Sequence, residues 1–137
     1  MMAEIEPQGS PVIEIDVLRS PNKEELTRIL FLKNRGYRTH RGTQSLISID
    51  SSRSSTAPDV RCRAPETAPV YLGNEDPLEL RVFVDKSVVE VFVNGKQCVA
   101  LRVYPERDDS AGVSFRAQGR DALLTSLDAW QMQNIYE

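Results

Sequence analysis

Alternating apolar and polar residues between positions 78 and 104 predict three consecutive antiparallel strands. Runs of β-branched and aromatic residues are separated by two polar pairs, Asp85-Lys86 and Asn94-Gly95. Asn-Gly between apolar runs is one of the strongest short-range signals for a β-hairpin. The rest of the chain is therefore interpreted around this three-stranded meander.

The pattern also predicts how the three strands pair. A two-residue loop at the first polar pair places Arg81 opposite Glu90, with an ion pair across the ladder. A two-residue loop at the second pair places Cys98 on the face toward the core. The other face carries Phe83 and Phe92 beside the two charges. That face is too apolar for open solvent, so we expect both faces to be at least partly covered.

Further strands are predicted on both sides of the meander. Residues 1–11 contain proline and glycine at close intervals and are predicted as a flexible lead-in. The alternating patterns that follow predict strands at 12–18, 27–33, 46–50, 111–117 and 122–132. A short helix at 22–32 is the alternative for the second of these. The proline-rich stretch 57–77 is predicted as a long ordered crossing between sheet edges.

Eight or nine strands with almost no helical periodicity predict an all-β fold. The expected architecture is an antiparallel two-sheet β-sandwich of the jelly-roll or lectin-like kind, with residues 12–137 as a single domain. Trp130 alternates with aliphatic residues of the closing strand and is predicted to lie in the core.

Composition limits the partners of this domain. The 137 residues are 40% hydrophobic, and 17 Lys and Arg against 20 Asp and Glu give a net charge of -3. The basic residues are dispersed, so we expect no nucleic acid and no membrane as partners. The first residues lack the pattern of a signal peptide, but in an excised fragment this says nothing about the parent protein, so the compartment is unknown.

Candidate chemistry is sparse. Cys62 and Cys98 are expected to be reduced thiols, and no Cys or His spacing fits a metal, so no metal and no cofactor is expected. His40 lies in a polar stretch with three arginines and is interpreted as a solvated loop residue. Asp85 is interpreted as a turn former, and Glu90 as the partner of Arg81, whose charge would keep the carboxyl ionised and unsuited to act as an acid.

A carbohydrate-binding interpretation needs exposed aromatic side chains. The candidates are Tyr37, Tyr71, Tyr104, Trp130 and Tyr136. The basic stretch 35–41 is a second candidate surface, for an acidic partner, although a solvated loop explains it as well. A stand-alone lectin-like module therefore stays open as an alternative function.

Residues 80–95 read Leu-Arg-Val-Phe-Val-Asp-Lys-Ser-Val-Val-Glu-Val-Phe-Val-Asn-Gly. They resemble the C-terminal β-sandwich module of glycoside hydrolase family 32, which contains invertases, levanases, inulinases and related β-fructofuranosidases. Residues 27–29, 48–54, 112–115 and 127–130 agree with the module in the same order, so the resemblance covers about residues 12–132. The residues that carry the signature, with an expected structural role, are Arg81, Phe83, Asp85, Ser87, Glu90, Phe92, Asn94, Gly95 and Trp130.

The resemblance implies that catalysis lies outside these residues. The family places its nucleophile, general acid and transition-state stabiliser in an N-terminal five-bladed propeller, in Asn-Asp-Pro, Glu-Cys and Arg-Asp-Pro motifs. None of the three motifs occurs in the 137 residues; the nearest, 74–77, has an intruding Glu. We therefore expect no catalytic residue and assign no substrate-binding residue. The sandwich is expected to pack against the propeller, with a homodimer as a further option, and to meet sucrose or fructan only through its parent.

Overall fold

The computed structural model describes residues 1–61 and 63–135, and in them the chain forms twelve strands and no helix. The strands are β1 (Met2–Glu6), β2 (Val12–Arg19), β3 (Thr27–Leu32), β4 (Arg38–Thr39), β5 (Gly42–Thr43), β6 (Ser45–Asp50), β7 (Glu66–Val70), β8 (Leu78–Asp85), β9 (Val88–Val93), β10 (Gln97–Arg102), β11 (Gly112–Gln118) and β12 (Leu123–Asp128). The alternative helix at 22–32 is wrong, because β3 occupies that stretch. The prediction made for Cys62 lies outside the described residues.

The strands form two five-stranded antiparallel sheets. The first sheet has the order β10-β9-β8-β1-β12, and the second has the order β11-β2-β3-β6-β7. β4 and β5 pair only with each other, in a small hairpin between β3 and β6. The predicted antiparallel β-sandwich is confirmed.

The core lies between the two sheets and follows the alternation in the sequence. In the second sheet Ile15, Ile29 and Ile47 are fully buried at successive inward positions, and Leu80 and Val91 face them from the first sheet. Residues between these positions point to the outer faces, as the period of two in a strand requires.

The prediction of a flexible lead-in is wrong for residues 2–6. β1 lies between β8 and β12, with Ala3 and Ile5 buried in the core. The amino group of Met1 donates to the carbonyl of Val82 at 2.9 Å. A strand with only two inward positions gives little local signal, because its stability comes from the neighbours on both sides.

The predicted register between β8 and β9 is wrong by two residues. Asp85 pairs with Val88, so the connection is Lys86-Ser87, with Lys86 at a φ of 53°. Arg81 therefore lies opposite Phe92, and Glu90 lies opposite Phe83. A shift of two residues keeps every side chain on its predicted face, so the hydrophobic pattern could not detect it.

The predicted register between β9 and β10 is wrong by one residue. Val93 pairs with Gln97, so three residues connect the strands although the turn is at Asn94-Gly95 as predicted. A shift of one residue reverses the faces, and Cys98 is exposed instead of core-facing.

A buried carboxylate joins three loops at one end of the sandwich. Glu25, in the loop before β3, is fully buried. It accepts hydrogen bonds from the backbone N–H groups of Thr56 at 2.9 Å, Glu106 at 3.1 Å and Arg107 at 2.9 Å, and from the hydroxyl of Ser110 at 2.6 Å. Burial raises the pKa of Glu25, but these donors outweigh it and hold the pKa below its ordinary value of 4.5.

Replacing Glu25 by glutamine should destabilise the fold by about 2–4 kcal/mol, because an amide N–H group then faces buried donors. Urea unfolding at pH 7 measures the loss. Since the folded-state pKa is lowered, the contribution of Glu25 is present above pH 4.5 and disappears as the pH falls through the folded pKa. The difference between the wild type and E25Q should therefore shrink in acid.

Glu106→Gln is the matched control, because Glu106 enters the same network only through its backbone. Its free energy of unfolding should change by less than about 0.5 kcal/mol. Equal stability of E25Q and wild type at pH 7 would contradict this role of Glu25.

Candidate functional site

The Asn94-Gly95 turn after β9 is hydrogen-bonded to the start of β8. Asn94 has a φ of 51° and Gly95 a φ of 62°, values that Asn and Gly tolerate best. The Asn94 side-chain oxygen accepts from the N–H of Glu79 at 2.8 Å, and its amide donates to the carbonyl of Pro77 at 2.9 Å. Asn94 is therefore a structural residue whose side chain replaces missing ladder hydrogen bonds.

The turn between β8 and β9, at Lys86-Ser87, also holds backbone segments together. Asp85 is exposed at the end of β8 and makes the closing strand pair of the hairpin. The carbonyl of Ser87 accepts from the N–H of Val103 at 2.7 Å, which holds the chain beyond β10 against the hairpin. Asp85 is thus the last paired residue of β8, next to the turn, and Ser87 lies within the turn.

The outer face of the first sheet carries the remaining signature residues. Phe83 and Phe92 meet edge to face, with ring centroids 5.9 Å apart and an interplanar angle of 87°. Arg81 forms an ion pair with Glu79 on its own strand, at 3.5 Å, instead of the predicted pair with Glu90. The Arg81 side chain is more than half exposed and Phe92 is also exposed, so this face is open rather than covered.

Trp130 is not a core residue, contrary to the prediction. β12 ends at Asp128, and Trp130 follows it with 52% of its surface exposed. β12 is an edge strand that pairs with β1 alone in the described residues. An inward-facing side chain at an edge is buried only where the opposite sheet reaches it.

Trp130 is part of a larger exposed apolar surface that we call the apolar edge. Its members are Val113, Leu124, Leu127, Trp130 and Met132, each between 41% and 52% exposed. Beside it lies a groove of about 740 Å³, whose lining includes Met1, Leu18 and Val84 together with Trp130 and Met132. This surface is not evident from the sequence, because the alternation in β12 indicates a buried face and does not reveal that the strand lies at an edge.

No metal centre forms in the part of the chain that the structure describes, where no group of three or more His, Cys, Asp or Glu side chains could hold an ion. His40 is exposed at the tip of the β4–β5 hairpin. Burial raises the pKa of the Cys98 thiol, with a further contribution from Glu90. The described residues also contain no helix long and apolar enough to cross a membrane.

The sequence profile described as "Glycosyl hydrolases family 32 C terminal" matches residues 1–131. The chain belongs to this family. Its resemblance to the family 32 C-terminal module, inferred from residues 80–95, is confirmed.

Relatives of this family 32 module are much longer proteins. The chain is 32% identical over 122 residues to the beta-fructofuranosidase insoluble isoenzyme CWINV1 of Arabidopsis thaliana, covering 86% of this chain and 21% of the relative. It is 30% identical over 139 residues to fructan 1-exohydrolase w3 of Triticum aestivum, covering 93% and 22%. The chain thus spans about a fifth of the length of these relatives.

Solved structures show the same fold for the family 32 module. An exo-inulinase from Aspergillus awamori matches with a TM-score of 0.67 at 19% identity, covering 88% of this chain and 23% of the other. Fructan 1-exohydrolase IIa from Cichorium intybus, in complex with 1-kestose, matches with a TM-score of 0.67 at 22% identity, covering 82% and 21%.

Two substitutions of Asn94 should separate the contribution of its side-chain hydrogen bonds from that of its positive φ. Asn94→Ala loses both side-chain hydrogen bonds and strains a positive φ, and we expect a loss of about 2 kcal/mol in the free energy of unfolding. Asn94→Gly loses the same hydrogen bonds without the strain and should cost about 1 kcal/mol.

Urea unfolding of both variants measures the two losses. If the alanine variant were as stable as the glycine variant, the backbone conformation would not be the reason for asparagine here.

Proposed function

We propose that this chain is the non-catalytic C-terminal β-sandwich of a β-fructosidase. In this proposal an N-terminal propeller of the parent hydrolyses sucrose or a fructan, and the sandwich supports the propeller. The observation that carries the proposal is coverage: the family match spans nearly the whole chain, whereas the chain accounts for about a fifth of each fructoside-acting relative. The absence of the three catalytic motifs from the sequence agrees with it.

The apolar edge is the surface that fits this supporting role. Its five side chains are large, apolar and about half exposed, and three of them, Val113, Trp130 and Met132, line the groove. Contiguous exposed apolar surface of this kind is typical of an interface. Covering it would contribute about 1 kcal/mol for each side chain.

The position of Met1 also favours the apolar edge as the surface that contacts the propeller. Met1 lines the same groove as Trp130. In a parent whose propeller precedes the sandwich, the polypeptide enters beside the apolar edge. A short connection could then bring the two domains into contact there.

Self-association through this edge is the second candidate role. β12 is an edge strand, and such a strand presents backbone groups that are able to pair with another strand. A second copy of the chain could therefore cover Leu127 and Trp130 and form a homodimer.

The isolated chain should release no fructose from sucrose or inulin. The physical reason is that the proposal places every reacting group in the propeller. Purified chain at about 10 µM would be incubated with each substrate, and free fructose measured against an invertase standard. Turnover that copurifies with the chain through several columns would contradict the non-catalytic role.

The apolar edge should be covered in the parent and open in the isolated chain. In a Trp130→Cys variant the new thiol should react rapidly with a maleimide in the isolated chain, and at least about tenfold more slowly in a parent that includes the propeller. Peptide-level mass spectrometry reads the two rates, with exposed Cys98 as the internal control.

Sedimentation distinguishes the second role. For a homodimer, analytical ultracentrifugation would give twice the 15.4 kDa mass of the chain. The Leu127→Ser variant should then give the mass of the monomer. Equal labelling of residue 130 in both proteins, with no dimer, would contradict both uses of the edge.

A further inference from the structure

A second groove lies at the opposite side of the sandwich from the apolar edge. It has a volume of about 790 Å³ and lies between the end of β10 and the segment that joins β6 to β7. Its polar lining comprises Ser51, Ser54, Arg61, Arg63, Glu66 and Arg102. Grooves of a few hundred Å³ are the size that small ligands occupy.

Two serine hydroxyl groups line this groove without a protein partner. Ser51 is 7% exposed and Ser54 is 5% exposed. Within residues 1–61 and 63–135 neither hydroxyl takes part in a hydrogen bond, although the backbone of Ser54 donates to the carbonyl of Ser51 at 3.1 Å. Both hydroxyl oxygens keep some solvent contact, so they are able to donate to or accept from a polar ligand in the groove.

The charge of the groove is positive in a chain that is negative overall. Arg61, Arg63 and Arg102 line it, and Glu66 is the one carboxylate among the described lining residues. The ion pairs of the described residues involve other arginines, so these three guanidinium groups are free to bind an anion. A guanidinium group binds a carboxylate or phosphate through two parallel hydrogen bonds.

An aromatic side chain completes the groove. Val103 is pinned by its hydrogen bond to Ser87 and points into the core, so the next residue, Tyr104, points outward. Tyr104 lines the groove with 54% of its surface exposed, beside apolar side chains at Val60 and Leu101. An apolar ring with a polar hydroxyl group is suited to lie against one face of a sugar.

We propose that this groove binds a small anionic carbohydrate, a sugar that carries a phosphate or a carboxylate group. The arginines bind the oxyanion, the hydroxyls of Ser51 and Ser54 bind a polar group of the ligand, and Tyr104 packs on the ring. A neutral fructan would leave the three positive charges without a partner. The groove shares no lining residue with the groove beside the apolar edge.

Isothermal titration of the 137-residue chain tests this site with glucose 6-phosphate, glucuronate, glucose and inorganic phosphate. We expect saturable binding of at least one anionic sugar, at least about tenfold weaker binding of glucose and of inorganic phosphate, and loss of affinity with salt. Whichever of glucose 6-phosphate and glucuronate binds more tightly shows whether the groove prefers a phosphate or a carboxylate. NMR shifts should be confined to residues 51–66 and 100–104.

Three variants assign the interaction to its residues. Arg102→Gln and Arg63→Gln should each weaken the anionic sugar at least about tenfold, and Arg102→Lys should recover part of the loss. Arg35→Gln, in the exposed stretch before β4, is the matched control and should leave binding unchanged.

Three outcomes would overturn the proposal. They are equal affinity for glucose and glucose 6-phosphate, equal affinity for inorganic phosphate and glucose 6-phosphate, and no saturation by either anionic sugar at about 10 mM. Circular dichroism of each variant checks that a loss of binding is not a loss of the fold.

Discussion

Five hydrogen bonds converge on the two carboxylate oxygens of Glu25, and their donors lie in two other loops of the chain. One of these loops follows β6 in the second sheet, and the other is the crossing from β10 in the first sheet to β11 in the second. A buried charge is tolerated only when hydrogen-bond donors surround it. If the three loops moved apart, the Glu25 carboxylate would lose its donors while still buried, which would cost free energy. Glu25 thus holds the two sheets together at the end where the core is covered by loops.

The two long sides of the sandwich differ, and the difference produces both of its candidate surfaces. On one side β10 packs against β6 and β7, and the amide of Gln97 donates to the carbonyl of Pro69 at 2.9 Å. The arginine-lined groove forms where this contact ends. On the other side β12 is an edge, and the half-exposed apolar residues beside it include Val113 of β11. The side where β10 packs against β6 and β7 carries the arginine-lined groove. The side where β12 is an edge presents apolar surface that another domain could cover.

Several of the residues that carry the family resemblance form a turn or pack against each other on an outer face. Asn94 and Gly95 allow a turn with positive φ, and Phe83 and Phe92 support each other on an outer face. Such positions are readable in a sequence because the turn and the alternation restrict residue type locally. The two grooves were not readable, because residues from four or more distant segments line each of them.

The amino-acid sequence specifies the all-β class, most of the strands and most of their inward positions, because the alternation of apolar residues is a local consequence of strand geometry. It does not reveal β1, in the predicted lead-in, or β7, within the predicted crossing 57–77. The tertiary structure sets the strand order, and it places β1 between β8 and β12 although the inward positions Ala3 and Ile5 give little local signal. It also sets the register of both hairpins, because the hydrophobic pattern does not distinguish a shift of two residues in the first hairpin, and a three-residue connection decides the second. Finally, it decided that Trp130 lies in solvent, because burial depends on whether an opposing sheet extends over the edge, and that information is held by residues far away in the chain.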